Sequence, residues 1–398
     1  MVNEFKKIAI IVQRCGQQIQ AGAEVYAFNL AKSLAEQGMA VEVLTSQSDD
    51  YIYWNNNLAQ NEEIKTNGKS FIIKRFPVLH TRQKILFGLI KRISYILCKI
   101  SKKLSQLFSP IFDYLFLKSQ GPWCPALWDY LKVNEKDFDL IIVKSYLYAP
   151  NVYALNTTIH AKKVFIVTAH DEPEFTQLFV EKSIKNSDIL AFVSKAEKEF
   201  CHKVWPISKS KGFVLLPPGL SNEIHNTEES IRFDIKKYEH QNYYIYIGRI
   251  DKNKNVDFIF ANSPKECLVL FAGDLKYPIP NDPRFKYLGR VNEAEKEFLL
   301  KNAIALLIAS RLEAYSIVTA EAIKNNCLVL ALKGCGPVDE LIEEYGGLSC
   351  EENEFSQKML DLLNNKPLNL QIKSAEIVKD KSWESNANKI KHIISEQR

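Results

Sequence analysis

Residues 305–322, ALLIASRLEAYSIVTAEA, contain one repeating unit of the predicted fold. The first six residues form an apolar run of strand length, and from Ser316 onward apolar side chains recur at helical spacing. Short apolar runs alternate with helical patterns in this way along most of the chain. Such alternation is typical of parallel strands joined by crossover helices, so the sequence predicts an α/β protein with doubly wound parallel sheets.

The strand-like runs come in two series with a polar stretch between them. The first series is 5–13, 40–46, 71–77, 139–144, 163–169, 189–194 and 213–217, and the second is 243–250, 267–274, 285–291, 305–310 and 328–332. The stretch between them is rich in Asn, Glu and Ser, which is typical of a connector. The chain of 398 residues is therefore predicted to form an N-terminal domain (1–220), a connector (221–242) and a C-terminal domain (243–375). Because ligands of such sheets bind at the carboxyl ends of the strands, we expect the chemistry in a cleft across which the two domains face each other.

The composition is that of a folded soluble protein, with 46% hydrophobic and 25% charged residues. Charged residues interrupt each apolar stretch before it reaches membrane-spanning length, and residues 1–7 lead into a strand-like run instead of a signal peptide. These features predict a cytoplasmic protein. The eight Cys include no C-x-x-C pair and the seven His include no H-E-x-x-H arrangement, so neither a metal nor a cofactor is expected.

Positive charge is concentrated in one segment. Residues 64–112 contain eleven Lys and Arg and no Asp or Glu, although the whole chain carries a formal net charge of only +5. Within residues 84–108, apolar and basic side chains fall on opposite arcs of a helical wheel. This pattern favours a basic amphipathic helix on an anionic membrane surface over a nucleic-acid partner, which would not need so continuous an apolar stripe. A core-packed helix with a solvated basic face is the alternative.

Two segments of the C-terminal domain contain residues suited to a phosphorylated ligand. The helix start at Ser316 and Ile317 would present unpaired backbone N–H groups, which favour a phosphate. In the segment 248–254, GRIDKNK, Arg249 and Lys254 could both bind a pyrophosphate. The Arg guanidinium would donate two parallel hydrogen bonds, and the Lys ammonium group would supply a compact positive charge. Taken alone, each segment could equally be a set of solvated surface charges.

Together, however, the two segments resemble those of family-4 glycosyltransferases, which are retaining enzymes of the GT-B fold with two Rossmann-like domains. Glu313 and Glu321 match the E-x7-E motif of that family, and Arg249 and Lys254 match its G-R-x-x-x-x-K segment. The resemblance implies that Glu313 contacts the donor sugar, that Glu321 contacts the nucleotide ribose, and that the two cations bind the donor diphosphate. It also implies that the N-terminal domain (1–220) lies on the acceptor side, that the C-terminal domain (243–375) binds the nucleotide sugar, and that residues 376–398 form a terminal helix that packs back on the N-terminal domain.

The N-terminal domain carries two further parts of the resemblance. The family has a G-G-A-E loop at the start of its first helix, where this chain has Ala21-Gly22-Ala23-Glu24. Gly22 is thus predicted to lie beside the donor, although a Gly-started helix with Glu24 favourably placed on its dipole explains the same residues without a ligand. The family also has a catalytic His after the strand that here ends at Ala169, which assigns that role to His170. A His at a strand end is otherwise more often a structural hydrogen-bonding group.

Three alternatives remain open. Asp137-Phe138-Asp139 fits the D-x-D metal pattern of another glycosyltransferase fold, although an Asp before a strand commonly closes a turn, so we expect a metal-independent site. A nucleotide-sugar epimerase of the same architecture could share the diphosphate site. A degenerate transferase that only binds sugar nucleotides is the third possibility, and the presence of all four charged motif residues argues against it.

The prediction with most support is a retaining glycosyltransferase of the hexosyltransferase type. It would transfer a sugar from a UDP- or GDP-linked donor to a glycan or lipid-linked glycan. Residues 51–77, 120–122 and 168–173 further resemble family members of bacterial surface or capsular polysaccharide biosynthesis. The resemblance and the basic segment together predict an enzyme at the inner face of the plasma membrane.

Overall fold

A computed structural model describes residues 6–19, 22–100, 102–169, 171–220, 231–364 and 371–396, without the side chains of 98, 99 and 102–106. The chain divides into two compact units. Unit 1 comprises residues 1–219 together with 383–398, and unit 2 comprises residues 220–382.

The described part of unit 1 is built around an eight-stranded sheet in the order β3-β4-β2-β1-β5-β6-β7-β8. Its strands are β1 (Lys7–Ile11), β2 (Ala40–Ser46), β3 (Asn61–Thr66), β4 (Lys69–Phe76), β5 (Leu140–Lys144), β6 (Lys162–Ile166), β7 (Ile189–Phe192) and β8 (Gly212–Leu215). The pairings are parallel except for the hairpin of β3 and β4. The central strands β1 and β5 are apolar and buried, as expected of strands covered on both faces.

Seven helices precede β8 in the described part of unit 1, and they pack on this sheet. They are α1 (Gly22–Glu36), α2 (Lys84–Ile100), α3 (Lys102–Gln120), α4 (Pro125–Asn134), α5 (Ala149–Thr157), α6 (Leu178–Asn186) and α7 (Lys195–Val204).

Residues 84–108 differ from the single helix predicted there. Their described part lies on two helices, α2 and α3, which pack against each other. Phe87 and Ile90 of α2 enter the core, whereas Ile85, Leu89 and Ile96 remain exposed. The core-packed alternative therefore accounts for one side of α2 only.

Unit 2 has, within the described ranges, a six-stranded parallel sheet in the order β11-β10-β9-β12-β13-β14. Its strands are β9 (Tyr243–Ile247), β10 (Leu268–Ala272), β11 (Phe285–Gly289), β12 (Ala305–Ile308), β13 (Val329–Leu332) and β14 (Leu348–Cys350). Its helices are α8 (Phe233–Lys236), α9 (Val256–Asn262), α10 (Glu293–Asn302), α11 (Ile317–Lys324), α12 (Gly336–Tyr345), α13 (Phe355–Leu363) and α14 (Ser374–Asp380). The two parallel-sheet units confirm the predicted α/β class with Rossmann-like, doubly wound sheets.

The strand order of unit 2 reverses direction between β9 and β12. Ligands of doubly wound sheets bind at such a switch point, outside the carboxyl ends of the strands. This edge of the sheet carries the segments that follow β9 and β12, which contain the predicted site residues of unit 2.

The unit boundaries differ in detail from the predicted division. Residues 221–230 of the predicted connector lie outside the described residues, but α8 and Tyr238 belong to unit 2, where the Tyr238 ring lies 6.0 Å from that of Tyr243. At the other end, the return to unit 1 comes at Trp383, whereas the terminal helix was predicted over 376–398.

The last helix, α15 (Trp383–Ser395), packs on α1 within unit 1. The Trp383 ring lies 5.1 Å from the Tyr26 ring, and the Asn386 amide donates to the carbonyl of Pro217 at 2.6 Å. No helix in the described part of the chain is both long and apolar enough to cross a membrane.

Candidate active site

The predicted diphosphate segment begins where two strand ends of unit 2 approach each other closely. Gly248 follows β9 and Gly273 follows β10, with φ angles of +150° and +133°. A Cβ atom at Gly273 would lie 2.0 Å from the Gly248 carbonyl oxygen, so no larger residue fits without displacing this backbone. The close approach fixes the starting point of the segment that carries Arg249.

After Gly248 the chain folds into a tight turn that holds both predicted cations. Asp251 accepts a hydrogen bond from the backbone N–H of Lys254 at 3.0 Å and forms an ion pair with the Arg249 guanidinium. Asn255, in a left-handed conformation, donates its amide to the carbonyl of Ala309 at 3.2 Å and so ties the turn to the end of β12. The Arg249 side chain is 45% exposed and is therefore accessible to a ligand.

The two motifs of unit 2 meet in one ion pair. Lys254 Nζ lies 2.6 Å from Glu313 Oε1, although the residues are 59 positions apart in the chain. Both side chains are partly buried, at 26% and 16% exposure, so the pair is screened less than a surface pair. The structure thus brings the predicted diphosphate-binding Lys and the predicted sugar-binding Glu into direct contact.

The loop after Glu313 leads into the amino end of α11. Ser316 has a φ of +70°, and its hydroxyl bonds to the hydroxyl of Thr319 at 2.8 Å instead of capping the helix. The first N–H groups of α11, beginning with Ile317, keep the donor capacity and partial positive charge of a helix start. Ser316 and Ile317 thus lie at a helix start, and their use for a phosphate stays a prediction.

Glu321 lies on α11, away from Glu313, and has its own cation. It accepts a hydrogen bond from Lys296 Nζ of α10 at 2.7 Å, and Lys296 also pairs with Glu293 at 2.8 Å. Burial raises the pKa of Glu321, and the attraction of Lys296 opposes that shift. Burial likewise tends to lower the pKa of Lys296, but the two carboxylates outweigh it and raise the pKa. Sequence analysis missed Lys296, because no motif spacing marks it.

The predicted site residues of unit 1 are only partly described. Gly22 is exposed at the start of α1, and a Cβ there would meet nothing within 4 Å. Ala21 and His170 lie outside the described residues. Glu24 is buried, and its carboxylate accepts two hydrogen bonds from the Arg14 guanidinium, at 2.7 and 3.0 Å.

A buried carboxylate holds the backbone next to the position of His170. Glu197 accepts hydrogen bonds from the N–H groups of Ala169 at 2.8 Å and Val193 at 2.5 Å. Burial raises the pKa of Glu197 to about 7, against the opposing effect of these bonds and of the nearby buried Lys144, whose pKa burial lowers to about 8. Neither Glu197 nor Lys144 was predicted from the sequence, because each looks like an ordinary residue at the start of a helix or the end of a strand.

The D-x-D alternative has a structural explanation. Asp139 accepts a hydrogen bond from the backbone N–H of Lys7 at 2.8 Å and lies 3.5 Å from Lys6 Nζ. It therefore joins the amino ends of β1 and β5, at the edge of the sheet opposite to the carboxyl ends where ligands of such folds bind. The described residues contain no group of three His, Cys, Asp or Glu that could hold a metal ion.

Comparison with known proteins identifies similar sequences. Residues 227–379, which make up most of unit 2, match the family model of glycosyl transferases group 1. An uncharacterised glycosyltransferase of Methanocaldococcus jannaschii is 23% identical over 270 residues, which cover 64% of this chain and 71% of that protein.

Solved structures show the fold of the whole chain. Sucrose-phosphate synthase from Thermosynechococcus elongatus superposes with a TM-score of 0.67 at 15% identity, covering 98% of this chain and 99% of that one. HepE of Anabaena, solved in complex with UDP-glucose, superposes with a TM-score of 0.61 at 14% identity over the same shares. The fold is GT-B, as predicted.

Proposed function

We propose that this protein is a retaining glycosyltransferase that transfers a hexose from a UDP- or GDP-linked donor to a glycan or lipid-linked glycan. The observation that carries the proposal is the contact of Lys254 with Glu313 at 2.6 Å, at the switch point of a group 1 glycosyltransferase domain. A cation for the leaving diphosphate and a carboxylate for the sugar are thereby held side by side. A protein in which this domain had only a structural role would not need a cation and a carboxylate at this position.

Each predicted site residue of unit 2 then has a distinct role in the proposed reaction. Arg249, Lys254 and the helix start at Ile317 would stabilise the negative charge that develops on the diphosphate as it leaves. Glu313 would orient the donor sugar, and Glu321, positioned by its own lysine, would accept from the ribose hydroxyls. Charge stabilisation by these fixed groups supports a reaction that needs neither a metal nor a cofactor.

In unit 1, His170 and Gly22 are proposed to contribute to the same reaction. The resemblance to family-4 enzymes supports a catalytic role for His170. The Glu197 carboxylate accepts a hydrogen bond from the backbone N–H of Ala169, the residue that precedes His170 in the sequence. Gly22, exposed at the start of α1, would allow a ligand to approach the helix start without a side chain in the way.

The proposed acceptor side includes a membrane surface, with a role in bacterial surface polysaccharide biosynthesis. Exposed apolar residues of α2 and α3, such as Ile85 at 91% and Leu107 at 71%, lie in the segment of excess positive charge. A helix with both features binds anionic bilayers through its apolar side chains and its cations. Lys91 is unsuited to that contact, because its ammonium group pairs with Glu174 at 2.7 Å.

The decisive experiment measures binding of UDP and GDP by titration calorimetry, together with sugar transfer. Arg249→Ala and Lys254→Ala are each expected to weaken the preferred nucleotide by roughly tenfold or more, since a hydrogen bond to a charged group contributes about 1.5–3 kcal/mol. Lys301→Ala, which removes an exposed lysine on α10, serves as the matched control. Wild-type affinity in both site variants would refute the diphosphate site. Complete conversion of a nucleotide sugar without acceptor would instead identify an epimerase.

A further inference from the structure

Unit 2 contains a second polar site at the same edge of its sheet. A cavity of about 310 Å³ lies at the carboxyl ends of β13 and β14, with Leu332 and Cys350 among its lining residues. Arg311, from the loop after β12, and Glu352, from the segment after β14, also line it. Their side chains form an ion pair that reaches over the intervening strand β13. The cavity is therefore a groove bounded by three consecutive strand ends.

The charges around this groove are balanced. Lys333, at the end of β13, lies 3.7 Å from Glu351, so the lining holds two cations and two carboxylates in two pairs. Such a lining gives no net attraction to an anion or to a cation. It does offer guanidinium, ammonium, carboxylate and, from Asn353, amide groups, which together donate to and accept from hydroxyl groups.

The pairs can exchange partners at small energetic cost. All four charged side chains are more than half exposed, and ion pairs of that kind contribute about 0–1 kcal/mol. A ligand hydroxyl can therefore replace one of these contacts at little cost in free energy. The volume is at the lower end of the range for small-molecule sites, which is too small for a nucleotide sugar and suited to one or two sugar units.

The position of the groove relates it to the reaction. Arg311 is two residues before Glu313 in the same loop, and β13 is the neighbour of β12 in the sheet. Since neighbouring strands lie about 4.8 Å apart, the groove and the loop that carries Glu313 lie side by side at one edge of the sheet.

We propose that this groove is a saccharide-binding subsite, which holds a neutral sugar unit of a glycan through Arg311, Lys333, Glu351 and Glu352. A role of this subsite in the reaction rests on the proposed transferase function, whereas the binding of a saccharide can be measured without it. The balanced charge selects an uncharged, hydroxyl-rich ligand over a phosphate. A zwitterion is the other class with matching charge, and the experiment includes it.

The test uses the full-length protein and ligand-observed NMR titration with the methyl glycosides of glucose, galactose and N-acetylglucosamine. Wild-type protein should bind at least one of them saturably, with a dissociation constant of about millimolar order for a ligand of this size. The double variant Arg311→Ala/Lys333→Ala should weaken that binding by about tenfold or more. The variant Lys301→Ala should bind like wild type. UDP and GDP affinities, measured on the same samples, should differ by less than about twofold between the double variant and wild type.

The outcomes separate this proposal from the proposed function. Absence of saturable glycoside binding by the wild type, or unchanged binding by the double variant, overturns the subsite. Binding of phosphoethanolamine or glycine in place of the glycosides overturns the saccharide class. Loss of UDP and GDP affinity in the double variant would place the groove in the donor site and also overturn the proposal. If the wild type binds glycosides but neither nucleotide, the subsite stands and the transferase function fails.

Discussion

Replacing Gly273 by Ala tests whether the contact between two strand ends positions the diphosphate site. The added Cβ would lie 2.0 Å from the Gly248 carbonyl oxygen, 1.0 Å inside the 3.0 Å that real Cβ contacts essentially always keep. The Gly248 peptide, and with it the backbone of Arg249, must therefore move by about that distance. A displacement of roughly 1 Å is enough to reduce a geometry-dependent function by about 100-fold.

The expected energies follow from two separate effects. A residue with a Cβ at a positive φ, here +133°, costs about 1–2 kcal/mol, and forcing an extra methyl group into a packed site costs about 1–3 kcal/mol more. The matched control is Gly289→Ala, which has a φ of +75° but open space around the new Cβ. It should therefore show the backbone cost alone.

The assay combines thermal unfolding with calorimetric titration of UDP and GDP. Circular dichroism first establishes that each variant is folded at the temperature of the titration. Gly273→Ala should be less stable than Gly289→Ala and should bind the nucleotide at least tenfold more weakly, whereas the control should retain wild-type affinity within about threefold. Equal stability and equal nucleotide affinity of the two variants would refute the reasoning, because the close approach would then neither restrict nor position the turn.

Four further results are expected. Glu313→Gln should lower turnover with little change in nucleotide affinity, whereas Glu321→Gln should weaken the nucleotide itself, as measured by kinetics and titration. Glu197→Gln should destabilise unit 1 by about 1–3 kcal/mol, because its amide has only one oxygen to accept from the buried N–H groups of Ala169 and Val193. The raised pKa of Glu197, about 7 against an ordinary 4.5, gives a stability contribution that is full below pH 4.5 and lost as the pH rises through about 7, so the variant should lack this slope in a series of melting temperatures. Sedimentation with vesicles should show binding that rises with anionic lipid and falls with salt, and Lys84→Glu/Arg92→Glu should release the protein. Transfer activity should survive a chelator of divalent metals, and its loss with recovery on added magnesium would contradict the metal-independent mechanism.

The local parts of the fold were predictable from local patterns. Apolar runs followed by helical spacing predicted the strands of both sheets except β3 and β14. The residues that follow β9 and β12 were found through their resemblance to family motifs, and parallel strands bring them to one edge of the sheet. The hairpin of β3 and β4 was missed, although Asn67-Gly68 between two strands is a strong hairpin signal. The break between α2 and α3 was missed because the apolar periodicity continues across residue 101 without a helix-ending residue.

The partners of the charged residues could not be predicted, for a physical reason. The partner of Glu321 is Lys296 on α10, and Glu197 is within electrostatic range of Lys144 at the end of β5. Each pair joins elements that only the packed structure brings together, so neither spacing nor periodicity contains the information. The Lys254–Glu313 contact is different, because its two residues belong to segments that the motifs had already assigned to one site.

These pairings determine how unit 2 can receive an anionic donor. Arg249, Lys254 and Lys296 are each bound to a carboxylate, so the site holds its cations in place without a large net positive field. Under the proposed function, a diphosphate would therefore take the cations over from Asp251 and Glu313. Its negative charges would replace the contacts that are lost, and the carboxylate of Glu313 would be released where a sugar hydroxyl needs an acceptor. Under the proposed function, binding of the leaving group and orientation of the sugar would thus become one event, carried by a lysine and a glutamate from distant segments that are held 2.6 Å apart.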